Sequence, residues 1–169
     1  MSTALLRPEA APPEMRLGPR LKALVDLCPS TGAVADIGSG HGRLALALKR
    51  RDPRRLVFAT ESKPGPAGEL RRILGPLSGV GILEGVGLQP LAGRGVVGAV
   101  IAGMGGNTIV RILDSDRALA ERLVWLCLQP AQRAEPLEGW LGRSRWMRTA
   151  TREVSEKGHL YRTFLVRPQ

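Results

Sequence analysis

Short apolar runs alternate with helical patterns along most of this chain. Runs typical of buried parallel strands lie at residues 33–37, 56–60, 79–83, 96–101 and 122–128. Apolar residues recur at helical spacing between and around them, in residues 15–27, 44–51, 66–74, 109–113 and 137–141. Two last runs, residues 146–154 and 159–166, flank a Glu-Lys-Gly turn that predicts an antiparallel hairpin. The sum predicts a doubly wound α/β sheet, mostly parallel, with a C-terminal antiparallel hairpin.

The length and the first residues set the expected domain organisation. A chain of 169 residues fits one domain, and the early prolines predict a flexible segment over residues 1–14, followed by a single domain over residues 15–169. No apolar run approaches the ~20 residues of a membrane span, and we find no secretion signal. Two distant cysteines, Cys28 and Cys127, make neither a disulfide framework nor a metal cluster. We therefore expect a cytoplasmic protein that uses no membrane and no metal.

A glycine-rich loop follows the first strand. It reads Asp-Ile-Gly-Ser-Gly-His-Gly over residues 36–42, and a helix-like pattern begins at Leu44. This geometry brings backbone close to a nucleotide-like ligand. The glycine spacing departs from the dinucleotide fingerprint because Arg43 stands in place of its third glycine. The acid at Asp36 suits S-adenosylmethionine, which carries an amino group, a sulfonium and no phosphate. A tight turn without a ligand and a nicotinamide-dependent oxidoreductase are the alternatives.

Two further strand exits extend the candidate site. Glu61 follows the second strand, about 20 residues after the glycine loop, where a carboxylate accepts both ribose hydroxyls of an adenosyl or NAD ligand. A second glycine-rich loop follows the fourth strand, and neighbouring loops can wall one cavity. We expect the cofactor-binding residues to be Asp36, Gly38, Ser39, Gly40, His41, Gly42, Glu61, Ser62, Gly85, Val86, Ala102, Gly103 and Met104.

The formal net charge of +10 favours a polyanionic partner, although a coding bias towards arginine would give the same excess. The basic run at residues 49–55 fits either a solvated helix end or a nucleic-acid patch. Trp146, surrounded by arginines, fits either the core or a base-stacking site. We expect contacts with RNA at Arg16, Arg20, Lys22, Arg145 and Arg148.

The motifs together resemble the bacterial tRNA (adenine-22-N1)-methyltransferases, which use S-adenosylmethionine on a Rossmann-like class I methyltransferase fold. The matching pieces occur in the family's order over nearly the whole chain. They are Arg20-Leu21, residues 34–39 with His41, Glu61, residues 101–106, Leu128-Gln129-Pro130, Trp140-Leu141, and residues 156–158 with Tyr161.

The sequence departs from the family pattern at identifiable positions. Gly40 stands where the family has an Asp at its active centre, and Val86 where an Asp contacts the adenine of the cofactor. Ala131 replaces an Asn, and the coiled-coil extension that the family commonly uses with tRNA is not part of this sequence.

The resemblance implies a methyltransferase acting on tRNA or another structured RNA, at N1 of an adenine. It places Asp36 and the loop glycines at the methionine end of S-adenosylmethionine, Glu61 at the ribose, and Val86 as an apolar wall for the adenine. Gly103 and Met104 would then line the gap where the target base enters. The two lost carboxylates favour the alternative, a non-catalytic protein of the same fold that binds RNA and cofactor.

Overall fold

The computed structural model describes residues 16–169, so the segment predicted to be flexible lies outside the described residues. The strands are β1 (Ala33–Ile37), β2 (Val57–Glu61), β3 (Val80–Glu84), β4 (Val96–Gly105), β5 (Trp125–Gln132), β6 (Trp146–Glu156) and β7 (His159–Pro168). They form one sheet in the order β3-β2-β1-β4-β5-β7-β6. The first five are parallel, and β7 runs antiparallel to both β5 and β6. The predicted doubly wound sheet with its terminal hairpin is confirmed.

Six α-helices connect or flank the strands in the described part of the chain. They are α1 (Pro19–Leu27), α2 (Arg43–Arg51), α3 (Pro64–Leu74), α4 (Gly106–Ser115), α5 (Arg117–Ala120) and α6 (Glu135–Leu141). No helix within residues 16–169 is long and apolar enough to cross a membrane.

The predicted boundaries differ from the observed ones mainly around β5. That strand begins at Trp125 rather than at residue 122, because α5 occupies residues 117–120 and a turn follows it, in which the Arg122 amide donates to the Leu119 carbonyl. The strand also runs on to Gln132, and β4 runs on to Gly105. Sequence patterns missed both extensions because glycine, proline and glutamine, which are poor strand formers, occupy them.

The sheet separates two apolar cores. One contains Leu113, Leu126, Trp140, Trp146 and Phe164, and the other packs α1, α2 and α3 on the opposite face. Trp146 is only 3% exposed, so the base-stacking interpretation of this residue is wrong.

Three cations of the basic run at residues 49–55, which spans the end of α2, form hydrogen bonds within the protein. Lys49 Nζ donates to the Arg55 carbonyl, and Arg51 donates to the carbonyls of Cys28 and Pro29. The buried Arg55 donates to the carbonyl of Gly32. These bonds fix the segment between α1 and β1, which favours a structural role over a nucleic-acid patch.

Candidate functional site

Two cavities open at the carboxyl ends of the parallel strands. The Glu61 cavity, of about 260 Å³, lies between the ends of β2 and β3 and helix α4, and is lined by Gly38, Glu61, Ser62, Gly85, Val86 and Met104 among others. The Asp36 cavity, of about 310 Å³, lies between the glycine loop, β4 and α1, and is lined by Asp36, Gly38, Ser39, Gly40, His41, Ala102 and Gly103 among others. Gly38 belongs to both cavities, so they adjoin at that residue.

All the predicted cofactor residues except Gly42 therefore line one of these cavities. Gly42 is buried at the start of α2, where a Cβ would lie 2.8 Å from both Leu70 and Leu74. Its lack of a side chain permits close packing of the loop against α3, and its contact with the cofactor stays a prediction.

Neighbouring strands hold the glycine loop in place. The Ser39 amide donates to the Thr60 carbonyl over 2.9 Å, and the Gly38 amide donates to the Thr60 hydroxyl over 3.3 Å. Gly38 and Gly40 have φ values of 66° and 57°, a left-handed conformation that favours glycine. Glycine at these two positions therefore lets the loop turn at the edge of both cavities.

Asp36 is a buried acid at the base of its cavity, only 4% exposed. Burial raises the pKa of this carboxyl to about 6, although the Ser39 hydroxyl, which donates to Oδ2 over 2.6 Å, the Ala45 backbone amide and the charge of Arg20 act in the opposite direction. Its ionised form is therefore incompletely compensated, and a cationic ligand group would favour ionisation.

Arg20 faces the Asp36 cavity from α1. Its Nη1 donates to Gln129 Oε1 over 3.2 Å, and its guanidinium lies 5.5 Å from the centre of the Tyr161 ring. Gln129 in turn donates to the Thr163 hydroxyl over 2.7 Å. The β6–β7 hairpin completes this arrangement, because Glu156 Oε2 accepts the Arg20 amide over 2.9 Å. The structure thus places Arg20 in the wall of the Asp36 cavity, and its contact with RNA stays a prediction.

The structure does not bring the predicted RNA-contacting residues together. Arg16 and Lys22 lie at α1, where the Arg16 carbonyl accepts Arg43 Nη2 and Lys22 pairs with Asp26 over 2.7 Å. Arg145 and Arg148 lie at the opposite end of the sheet, because the start of β6 pairs with the end of β7. The Arg148 guanidinium stacks 4.3 Å from the centre of the Phe164 ring. The five predicted RNA contacts therefore fall into two separate groups, and they stay predictions.

Met104 lies between the two cavities. Gly103, with a φ of 74°, forms a bulge in β4 that shifts the register against β5 between Ala102 and Met104. Beyond the bulge, the Met104 side chain reaches the Glu61 cavity, and its Cε packs against Gly38, where a Cβ could not fit. The side chain thus fills the space above the residue that both cavities share.

Residues 17–164 match a protein family described as "Methyltransferase domain". This chain belongs to that methyltransferase family. The tRNA (adenine(22)-N(1))-methyltransferase of Bacillus subtilis (strain 168) is 28% identical over 151 residues, which cover 88% of this chain and 63% of the relative. The chain therefore spans less than two thirds of the length of that relative.

Solved structures agree with this assignment of the methyltransferase domain. The crystal structure of the B. subtilis m1A22 tRNA methyltransferase TrmK has a TM-score of 0.82 and 26% identity, and the match covers 92% of this chain and 68% of that one. A Streptococcus pneumoniae protein solved in complex with S-adenosyl-L-methionine has a TM-score of 0.82 and 25% identity, with 90% and 73% of the two chains covered.

Sequence reasoning missed one wall of the site in this methyltransferase domain. Thr108, Arg111, Ile112 and Ser115 all line the Glu61 cavity from α4. Their spacing of three, four and seven residues places them on one helical face. The spacing can be read from the sequence. However, the four residues are partly polar and partly apolar, so hydrophobic periodicity does not indicate that they line one cavity.

Residues 16–169 contain no group of three or more His, Cys, Asp or Glu that could hold a metal ion.

Proposed function

We propose that this chain is an S-adenosylmethionine-dependent RNA methyltransferase that transfers a methyl group to N1 of an adenine in tRNA. The observation that carries the proposal is the pair of adjoining cavities, one with an acid at the end of β2 and the other with a buried acid beside the glycine loop. The names of the B. subtilis relative and of its solved structure support the choice of substrate.

The residues present fit S-adenosylmethionine. Glu61, whose Oε1 accepts the Ser62 amide over 3.0 Å, would accept the ribose hydroxyls. The buried Asp36 would be stabilised by the amino group of the methionine part, and the Arg20 guanidinium in the same cavity would hold its carboxylate. A dinucleotide fits less well, because a phosphate at this loop would face Asp36.

The residues around the cavities would promote the reaction by aligning the target base with the methyl group of the cofactor. Bound S-adenosylmethionine supplies an electrophilic methyl group on a sulfonium. Adenine N1 carries a lone pair, so the protein needs no base to activate it and contributes mainly by holding N1 in line with the methyl group. A Cβ placed on the exposed Gly40 would meet no described atom within 4 Å, so the Asp36 cavity is open on this side. The target base would enter there, flanked by Gly103, after leaving its stack in the RNA.

A second candidate function rests on the two positions that lack a carboxylate. Gly40 contributes no carboxylate to stabilise the cationic methylated ring, and Val86 contributes none to the Glu61 cavity. A protein that binds cofactor and RNA without transferring the methyl group would have these properties. The two functions predict the same binding but different products.

Binding and transfer can be measured separately. Calorimetry with S-adenosylhomocysteine should show binding, and Glu61→Ala should weaken it by about tenfold or more because a charged hydrogen bond is lost. Glu69→Ala changes an exposed glutamate of α3 outside both cavities and is the matched control. Unchanged affinity in Glu61→Ala would contradict the assignment of the ribose site.

Methyl transfer is tested with labelled S-adenosylmethionine and tRNA, followed by mass spectrometry of the nucleosides. We expect 1-methyladenosine, and none when adenine 22 of the tRNA is replaced by guanine. Binding of both ligands without any methylated nucleoside would favour the non-catalytic function. Absence of binding would contradict both functions.

A further inference from the structure

The Asp36 cavity contains two opposite charges that do not pair with each other. Both the Asp36 carboxyl and the Arg20 guanidinium belong to its lining. Within residues 16–169 the two groups form no hydrogen bond and no ion pair with one another, although Arg20 is close enough for its charge to act on Asp36. Asp36 accepts the Ser39 hydroxyl instead, and Arg20 donates to Gln129. The cavity therefore offers a separate acid and cation, which suits the two charged groups of a zwitterion.

Gln129 is a buried polar side chain that the proposed function does not use. It lies on β5 and is 0% exposed. Its Oε1 accepts Arg20 Nη1 over 3.2 Å, and its Nε2 donates to the Arg20 carbonyl over 3.3 Å and to the hydroxyl of the buried Thr163 over 2.7 Å. An arginine nitrogen only donates and a carbonyl only accepts, so these bonds determine the orientation of the Gln129 amide.

The backbone of Arg20 is fixed from the β6–β7 hairpin. Helix α1 begins at Pro19, and Gly18 before it has no side chain that could accept an amide hydrogen. Glu156 of β6 supplies this acceptor, since its Oε2 binds the Arg20 amide over 2.9 Å. Arg20 is thus held at its amide, its carbonyl and its guanidinium, and Gln129 makes two of these three contacts.

The arrangement prevents a contact that would otherwise be favourable. A guanidinium that is free to move beside a carboxylate pairs with it. Released from Gln129, Arg20 would turn to Asp36, and each charge would then neutralise the other. We propose that Gln129, held by Thr163, is a positioning residue that keeps the Arg20 guanidinium away from Asp36, so that the cavity binds the carboxylate and the amino group of one ligand at the same time. This inference rests on the proposed function, because it takes the methionine part of the cofactor as that ligand group.

The test compares two ligands that differ only in the carboxylate. They are S-adenosylhomocysteine and its decarboxylated analogue, which keeps the amino group. Calorimetry gives the ratio of their dissociation constants for the wild type, Arg20→Met, Gln129→Met and Thr163→Val. Two controls are Thr163→Ser, which keeps the hydroxyl, and Leu128→Val, which shortens a buried side chain of β5 that lines neither cavity. A thermal melt verifies that each variant folds.

In the wild type the carboxylate should favour S-adenosylhomocysteine by about tenfold or more, and Arg20→Met should bring the ratio to about one, because a charged hydrogen bond is lost. Gln129→Met should lower the ratio several-fold although Arg20 is still present. Thr163→Val should lower it less, and both controls should give the wild-type ratio. A merely structural role of Gln129 would weaken both ligands equally, so an unchanged ratio in Gln129→Met overturns this inference.

The same measurements separate the failure of this inference from the failure of the proposed function. If Gln129→Met does not fold, an unchanged ratio in Thr163→Val overturns the inference and a lowered ratio supports it. A wild type that binds both ligands equally well overturns the inference and leaves the methyltransferase function intact. A wild type that binds neither ligand contradicts the proposed function, and this inference fails with it.

Discussion

Asp36 should make the stability of this protein fall as pH rises from about 4 to 6. The pKa of the buried carboxyl is raised from 3.8 to about 6 in the folded protein. Between these values the folded state keeps a proton that the unfolded state has lost, so the free energy of unfolding decreases with rising pH. At 1.36 kcal/mol for each pKa unit, the loss is about 3 kcal/mol and is complete above pH 6.

Asp36→Asn isolates this contribution. The amide has nearly the same shape, and its oxygen can still accept the hydrogen bond that the Ser39 hydroxyl donates over 2.6 Å. The variant and the wild type should be about equally stable at pH 4, and the variant should be more stable by up to ~3 kcal/mol at pH 7. Urea denaturation from pH 4 to pH 8 measures the difference, in which the titration of groups that do not interact with Asp36 cancels.

The same variant should respond differently to the ligand. A cationic amino group favours ionised Asp36, so the affinity of the wild type for S-adenosylmethionine should rise as pH increases towards 7, and Asp36→Asn should lose most of that dependence. A stability difference that does not vary with pH, or that grows as pH falls, would refute the reasoning about burial.

Three other variants test separate parts of the structure. Met104→Ala should tighten S-adenosylhomocysteine binding several-fold in calorimetry, because Met104 Cε occupies the space over Gly38, where the two cavities adjoin and a ligand spanning both would pass. Weaker binding would show that the Met104 side chain contributes contact area to the ligand instead. Gly40→Asp, at a left-handed position with open space that Asp tolerates, should raise the yield of 1-methyladenosine in mass spectrometry, since a preorganised polar group is typically worth about 10²–10³ in rate; a lower yield would contradict a lost catalytic group. Trp140→Phe removes the 2.9 Å bond to Asp114 and should lower the free energy of unfolding by about 1–3 kcal/mol in urea; an unchanged value would show that water replaces it.

The fold was predictable because its signals are local. Each parallel strand is a short apolar run, and each strand exit near the cavities carries glycines or an acid within a few residues of the run. Because the carboxyl ends of parallel strands meet at one edge, Asp36 and Glu61 could be placed together from the sequence alone. The pairing of β1 with β2, Asp36 opposite Ala59, agrees with that expectation.

The orientation of Arg20 was not predictable in the same way. Its partners, Gln129 on β5 and Tyr161 on β7, are more than 100 residues away along the chain. The sequence pattern predicted the hairpin of β6 and β7, but not that β7 pairs with β5. The position of Gly42 against Leu74 depends likewise on how α3 returns over the loop. Contacts of this kind depend on packing between elements, which periodicity within one element does not encode.

The excess of positive charge was a poor guide to the position of the site. The direction of β6 sets Arg145 at its start and Glu156 at its end, and 11 residues of strand at about 3.3 Å each separate them by roughly 35 Å. Cations therefore lie at both ends of the sheet. Two acids, Asp36 and Glu61, distinguish the end of the sheet that carries the cavities from the opposite end. They do so in a chain whose formal net charge is +10. A buried acid with a raised pKa is what the proposed cationic ligand group would require at Asp36, whereas arginines on the surface require no ligand at all.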